Sequence, residues 1–277
     1  MDPSSAKPYK SLIAALDIER GSDTPVVTGL RISSENAAEL HLVAAVRPEL
    51  LLAKGFFDAQ IVARDVLLKD ARNALVSRLN ALTERQIDTN VIVGEPGDVI
   101  AHVAEIRSGD LIVIGARKRR NMERLFGTTT TDVLRAAKGV DVYACHREDP
   151  QNKVERVVVA IDGSEVTEDV LSRSAQVVTD ADIDPHNVRV VCVTSKSTDE
   201  MVKRSHQFLA KSKWQKMEVV PKLESVSNTL DSLVRDFDAD LLIIGSGENR
   251  GVGWAIGSTS NSILHEVSCD CLMIRPR

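Results

Sequence analysis

Cysteine is scarce in this chain: four in 277 residues, Cys145, Cys192, Cys269 and Cys271, spaced too irregularly for a disulfide scaffold. Cys269 and Cys271 would share one face of a strand, which suits a structural role better than redox or metal chemistry. No apolar run has the uninterrupted length of a membrane helix, and the amino terminus lacks a positive start leading into a secretory apolar stretch. The expectation is a soluble, cytoplasmic protein with no membrane partner. Positive charge is not in excess either. The formal net charge is −5, with both signs mixed along the chain, and no reading helix is recognisable, which argues against nucleic acid as a partner. The six histidines are dispersed, and none combines with Ser or Cys and an acid in a spacing that would make a nucleophilic triad. His102 and His265 fall within predicted helices, where surface or packing roles are expected. No compact carboxylate or histidine cluster demands a permanent metal.

What is present is a repeat. DLIVIG at 110–115 is followed twelve residues later by Gly127-Thr128, and DLLIIG at 240–245 is followed at the same interval by Gly257-Ser258. A strand, a glycine, a polar loop and a second glycine with a hydroxyl residue, found twice, argue for a duplicated phosphate-binding unit. The length suits two domains better than one continuous core. SLIAALD (11–17) and RVVVAID (156–162) open the two repeats as short apolar runs, best explained by strands covered on both faces. Further strands are expected at Leu40–Val46, Thr89–Val93, Leu111–Ile114 and Val140–Cys145, and in the second repeat at Val188–Val193, Lys216–Val220, Leu241–Ile244 and Cys269–Ile274. Helical periodicity fills the intervals, so parallel sheets with right-handed crossovers are the economical topology.

The polar stretch HREDPQNK (146–153) reads as the linker, dividing the chain into 1–147 and 148–277. The two openings are 145 positions apart but the two DLxxIG strands only 130, so the first repeat carries about fifteen extra residues in its middle. There Phe57, Ile61, Leu67, Leu68, Ala71, Leu75, Leu79 and Leu82 form an apolar stripe, which predicts a long amphipathic crossover helix or two contiguous ones.

Ordered landmarks found twice carry a family resemblance over nearly the whole chain. VVVAIDGSEVTEDVL, DADLLIIGSG and AIGSTSNSILHEVSCDCLMI in the second half, with LIAALD, VGEPGDVIAHVAE, GDLIVIG and LFGTTTTDVL in the first, resemble a tandem universal stress protein. The resemblance implies an α/β fold of two tandem open five-stranded parallel sheets with helices on both faces. It also implies pairing of edge strands, here Val140–Cys145 with Cys269–Ile274 inside one chain, with a further homodimer possible.

Nucleotide-binding members of that family use glycine, two residues, glycine, nine residues, glycine and Ser or Thr. Glycines bring amides close to phosphates, and the hydroxyl and the helix start can donate to phosphate oxygens. The second half is a near match: Gly245, Gly247, Gly257 and Ser258 are in place, with one residue rather than two between the first pair, and Thr259 and Ser260 are the next hydroxyls. The resemblance puts Asp162 near the adenosine, with Gly163 turning the chain. The plainer reading of that turn is a helix cap, with Ser164 or Thr167 satisfying the helix-start amides. Gly251 and Gly253 can serve binding or merely a compact loop, and Trp254 can report closure or simply pack.

The first half departs further. Asp17, Gly115, Gly127 and Thr128 are retained, but ARKRRNMERLF fills the loop and Ile18-Glu19-Arg20 replaces Gly163-Ser164-Glu165. Lys118, Arg119 and Arg120 can neutralise phosphates or form a solvated surface cluster. The resemblance thus implies a stress-response protein that binds an adenine nucleotide (ATP, ADP or AMP), mainly in its second half, and changes conformation or partner choice. A divalent ion such as Mg2+ can bridge ATP phosphates. A nucleotide-independent scaffold is the alternative. A slow ATPase is a weaker one, because hydrolysis also needs a positioned water and stabilised phosphoryl charge. The protein partner is unspecified.

Overall fold

The computed structural model describes residues 8–18, 22–47, 60–116, 128–147, 149–150, 152–194, 200–214, 216–246 and 258–276. Strands and helices alternate throughout. The first half contains β1 (Ser11–Ala15), α1 (Thr24–Asn36), β2 (Glu39–Val46), α2 (Gln60–Leu82), β3 (Asp88–Val93), α3 (Pro96–Ile106), β4 (Leu111–Gly115), α4 (Thr128–Ala136) and β5 (Asp141–Cys145). The second contains β6 (Val157–Ile161), α5 (Thr167–Asp180), β7 (Val188–Thr194), α6 (Glu200–Leu209), β8 (Glu218–Pro221), α7 (Val226–Phe237), β9 (Leu241–Gly245), α8 (Ser258–Glu266) and β10 (Asp270–Ile274).

Each half is a parallel five-stranded α/β sheet, in the order β3-β2-β1-β4-β5 and its repeat β8-β7-β6-β9-β10. The two sheets are continuous. β5 and β10 pair antiparallel, Tyr143 opposite Leu272, and complete one ten-stranded sheet. Alternation along the strands divides the core between its two faces. Leu12 and Ala14 point with α1, α2, α5 and α6 into one apolar cluster, and Ile13 points with α3, α4, α7 and α8 into the other. Both faces are covered, which is why the central strands are apolar without interruption.

Among the described residues the predicted stripe lies on α2, with Ala71, Leu75 and Leu79 buried against the sheet. Phe57 lies outside the described residues, and of Ile61 only the backbone is described. Two expectations need correction. The third strand of the second half begins at Glu218 rather than Lys216. The Trp214 indole N–H donates to the Leu171 carbonyl at 3.0 Å, which fastens the chain to α5 and delays the strand. Cys269 precedes β10 instead of lying in it, so Cys269 and Cys271 do not share a strand face; both are buried.

Four aspartates explain why the repeat holds together. Asp110, the acid of the first DLxxIG, accepts the backbone N–H of Lys10 (2.8 Å) and of Ser11 (3.1 Å). Asp240 accepts those of Glu155 (2.8 Å) and Arg156 (2.9 Å). In each half the acid preceding the fourth strand therefore fixes the start of the first. The other two lie at the join. Asp141 opens β5 and is 0% exposed; Asp270 opens β10 and is 1% exposed. Asp141 accepts from Tyr9 Oη–H at 3.0 Å, from the Arg275 backbone N–H at 2.9 Å, and from the Arg173 guanidinium. Asp270 accepts from Tyr143 Oη–H at 2.9 Å and from the backbone N–H groups of His146 (2.8 Å) and Arg147 (2.9 Å). Arg147 Nε adds a fourth donor to Asp270 at 3.0 Å. Burial pushes the Asp141 carboxyl above its usual range while its donors pull it back. Each aspartate thus grips the segment that leaves the partner strand, so the contact is reciprocal.

Removing one member of such a buried network leaves donors and a charge unpaired. Asp270→Ala is expected to lower unfolding stability by about 3–5 kcal/mol. Lys203→Ala, which breaks a pair with Glu200 on the surface, should change it by less than about 1 kcal/mol. Urea denaturation of both variants checks the contrast.

Candidate functional site

In a parallel sheet of this order, the connection from the first strand leaves in one direction and that from the fourth in the other. This opens a crevice outside the carboxyl ends of β1 and β4, and likewise of β6 and β9. In the second half Asp162 follows β6 directly and is exposed, and Gly245 ends β9. The register Val159↔Ile243 brings these two strand ends to one level. The start of α8 meets the same place: Ser260 Oγ–H donates to the Gly245 carbonyl at 3.5 Å, so the helix amino terminus sits over the end of β9. A helix start brings unpaired N–H groups and partial positive charge to the crevice, which suits an anion.

The residues around this crevice have distinct tasks. Asp162 Oδ1 accepts the Ser164 N–H at 3.0 Å and lies 3.5 Å from Thr167 Oγ1, closing the turn into α5. Ser164 and Thr167 do not cap the helix as expected. The cap position is Val166, whose side chain has no hydrogen-bonding group, and the Thr167 hydroxyl turns back to Asp162. Gly163 has φ +69°, and a Cβ there would stand 2.5 Å from the Met201 carbonyl of α6. Gly245 packs against α5, where a Cβ would meet Val170 Cγ2 at 3.0 Å and Val166 Cγ1 at 3.1 Å. Thr259 is exposed, whereas Ser260 is buried with its hydroxyl already engaged by Gly245. Ser258 begins α8, but its side chain, like Gly247, Gly251, Gly253, Trp254 and Gly257, lies outside the described set.

In the first half Asp17 is exposed just beyond β1, and Gly115 ends β4 with only an ordinary 3.6 Å approach to Pro25. Thr128 begins α4, with its side chain outside the described set; Lys118, Arg119, Arg120 and Gly127 lie outside it altogether. One residue at this end escaped the sequence reading. Arg78 of α2 reaches the turn after β1, donating from Nε to Asp23 Oδ1 at 2.9 Å and from Nη1 to the Asp17 carbonyl at 3.3 Å. Nothing in its spacing marks it, since a charged residue on a crossover helix normally faces water. The buried aspartates did carry a signal, because each opens the last strand of its repeat.

Burial raises the thiols of Cys145, Cys269 and Cys271, leaving none as a ready nucleophile at neutral pH. Among the described residues no group of three or more His, Cys, Asp and Glu is placed to hold a metal ion, and no helix is long and apolar enough to cross a membrane.

The profile of the Universal stress protein family matches residues 8–144 and 153–275. The chain belongs to that family. It is 32% identical over 141 residues to universal stress protein A homolog 2 of Coxiella burnetii, a match covering 49% of this chain and 94% of the relative. One such relative therefore spans half of this protein. Two solved structures span both halves. A universal stress protein from Archaeoglobus fulgidus superposes with a TM-score of 0.74 at 18% identity, covering 98% of each chain. A functionally unknown protein from Pseudomonas aeruginosa superposes with a TM-score of 0.71 at 14% identity, covering 99% of this chain and 95% of the other. These two establish the tandem architecture as a shared fold.

Gly163→Ala is expected to cost about 1–3 kcal/mol or more, since it combines a left-handed φ with a backbone clash. Chemical denaturation checks the loss. An alanine tolerated at no cost would mean that the β6–α5 turn does not rest on α6.

Proposed function

We propose that this universal stress protein retains an adenine nucleotide in its second half and that occupancy governs conformation or the choice of a protein partner. The observation that carries the reading is the convergence of Asp162, Gly245 and the amino terminus of α8 on one crevice. An exposed carboxylate suits a ribose or base hydrogen bond, and helix-start amides suit phosphate. Gly247, Gly257 and Ser258 would complete the phosphate loop on the family pattern, with Mg2+ as a bridging ion where ATP is bound. Residues 148–277 form the binding unit in this reading. Residues 1–147 form a divergent unit whose retained landmarks are Asp17, Gly115, Gly127 and Thr128. The antiparallel join makes the chain its own dimer. The setting in this reading is stress adaptation in the cytoplasm, with occupancy rather than turnover as the functional event.

A scaffold that needs no nucleotide is the second reading. It is favoured by two particulars: Gly163 has a packing reason to be glycine, and the Ser260 hydroxyl is engaged within the fold. Native mass spectrometry of the gently purified protein separates the readings. One retained equivalent of ATP, ADP or AMP is expected, lost on Gly257→Leu with the fold preserved by circular dichroism. A chain that stays ligand-free after adenine nucleotides are added selects the scaffold.

A further inference from the structure

Where the two halves meet on the α1 and α5 face, the sheet is not fully covered. A cavity of about 30 Å3 lies above the Tyr143↔Leu272 pair at the centre of the join. Its walls come in equivalent pairs from the two halves: Ile32 with Val177, and Leu111 with Leu241. The polar groups break this symmetry. Arg31 and Asn36 of α1 line it on one side, whereas the position matching Asn36 on α5 is Ala181. Asn36 is only 6% exposed; its amide Nδ2 donates to the Ile32 carbonyl at 2.9 Å, and that bond fixes which way the amide faces. Its Oδ1 finds no protein donor among the described residues. Arg31 spends Nη1 on Glu35 at 3.0 Å and reaches Tyr143 Oη from Nη2 at 3.5 Å, while its Nε–H finds no acceptor among them. Two residues that line the same space therefore carry a buried acceptor and a buried donor without a protein partner among the described residues.

We propose that this cavity is a hydroxyl-binding site. Asn36 Oδ1 calls for a donor and Arg31 Nε–H for an acceptor, and a neutral hydroxyl supplies both. Anions are disfavoured because Glu35 and Asp180 also line the space, and a bare cation would meet the Arg31 guanidinium. The size sets the occupant: at roughly 10–15 Å3 for each water, the cavity holds about two. Ordered water is one source of the hydroxyl, and a small alcohol is the other, its alkyl end against Val177 and Leu241. The proposal stands apart from the nucleotide reading, because the cavity lies at the join and includes none of the crevice residues.

A crystal structure grown without alcohols, at a resolution that shows ordered solvent, tests it directly. The expected result is one or two waters within hydrogen-bond distance of Asn36 Oδ1 and Arg31 Nε. Repeating the structure with ethanol distinguishes the sources: ethanol oxygen at the same position shows that the site takes an alcohol, and unchanged water restricts it to water. A dry cavity overturns the proposal. Thermal unfolding of Asn36→Leu supplies a second readout. An unchanged or lowered Tm is expected, because the native amide is already satisfied. A raised Tm would show that Asn36 Oδ1 is a bare buried acceptor and would overturn the proposal.

Discussion

The structure depends on two carboxylates that share no strand and yet do the same work. Asp141 and Asp270 stand buried at the starts of β5 and β10, each receiving donors from the chain that leaves the opposite strand. Backbone pairing alone would allow β5 and β10 to slide by two residues, keeping every side chain on its face. The aspartates remove that freedom, because only one register aligns both with their partner amides. Burying two carboxylates is costly unless every lone pair is met. Here it is met by tyrosine hydroxyls, backbone N–H groups and the guanidinium groups of Arg173 and Arg147.

That constraint extends outward to the crevices. Once β5 and β10 are locked, β4 and β9 follow by parallel pairing, and Gly115 and Gly245 come to rest at their ends. Beyond Gly245, Ser246 continues the ladder by donating to the Ile274 carbonyl at 2.9 Å; Ala116 does the same to Cys145 at 2.9 Å. The halves then diverge in the length of the crossover helix, 23 residues in α2 against 10 in α6, and in the side chains around the crevices. One has Arg78 tied over its first turn, and the other has Gly163 pressed onto α6. A common frame with different furnishing is what duplication followed by loop change produces.

Much of this fold was legible in the sequence because its strands are buried on both faces. DLIVIG, DLLIIG and VVVAI can be read as strands without ambiguity, and their order dictates a parallel sheet. The site was legible where backbone geometry demands a residue type, as with Gly163 at φ +69°. It was less so where a polar side chain has a choice of partners. Ser164 or Thr167 offered a helix cap as the plainer reading of the turn, but the Thr167 hydroxyl turns back to Asp162, and Ser260 answers a strand carbonyl. The reciprocal roles of Asp141 and Asp270 depend on contacts more than a hundred residues apart in sequence, which local periodicity does not encode. Arg78 escaped for the same reason.

The linker at 146–153 is short, and Arg147 within it is bound to Asp270, to Asp240 and to the carbonyls of Asn152 and Lys153. Separate subunits joined by such a surface would come apart on dilution. Here the tether holds the two edges at an effective concentration on the order of millimolar. The ratio of the halves is therefore always one to one, and the pairing does not respond to how much protein the cell makes. A scarce copy is as fully assembled as an abundant one.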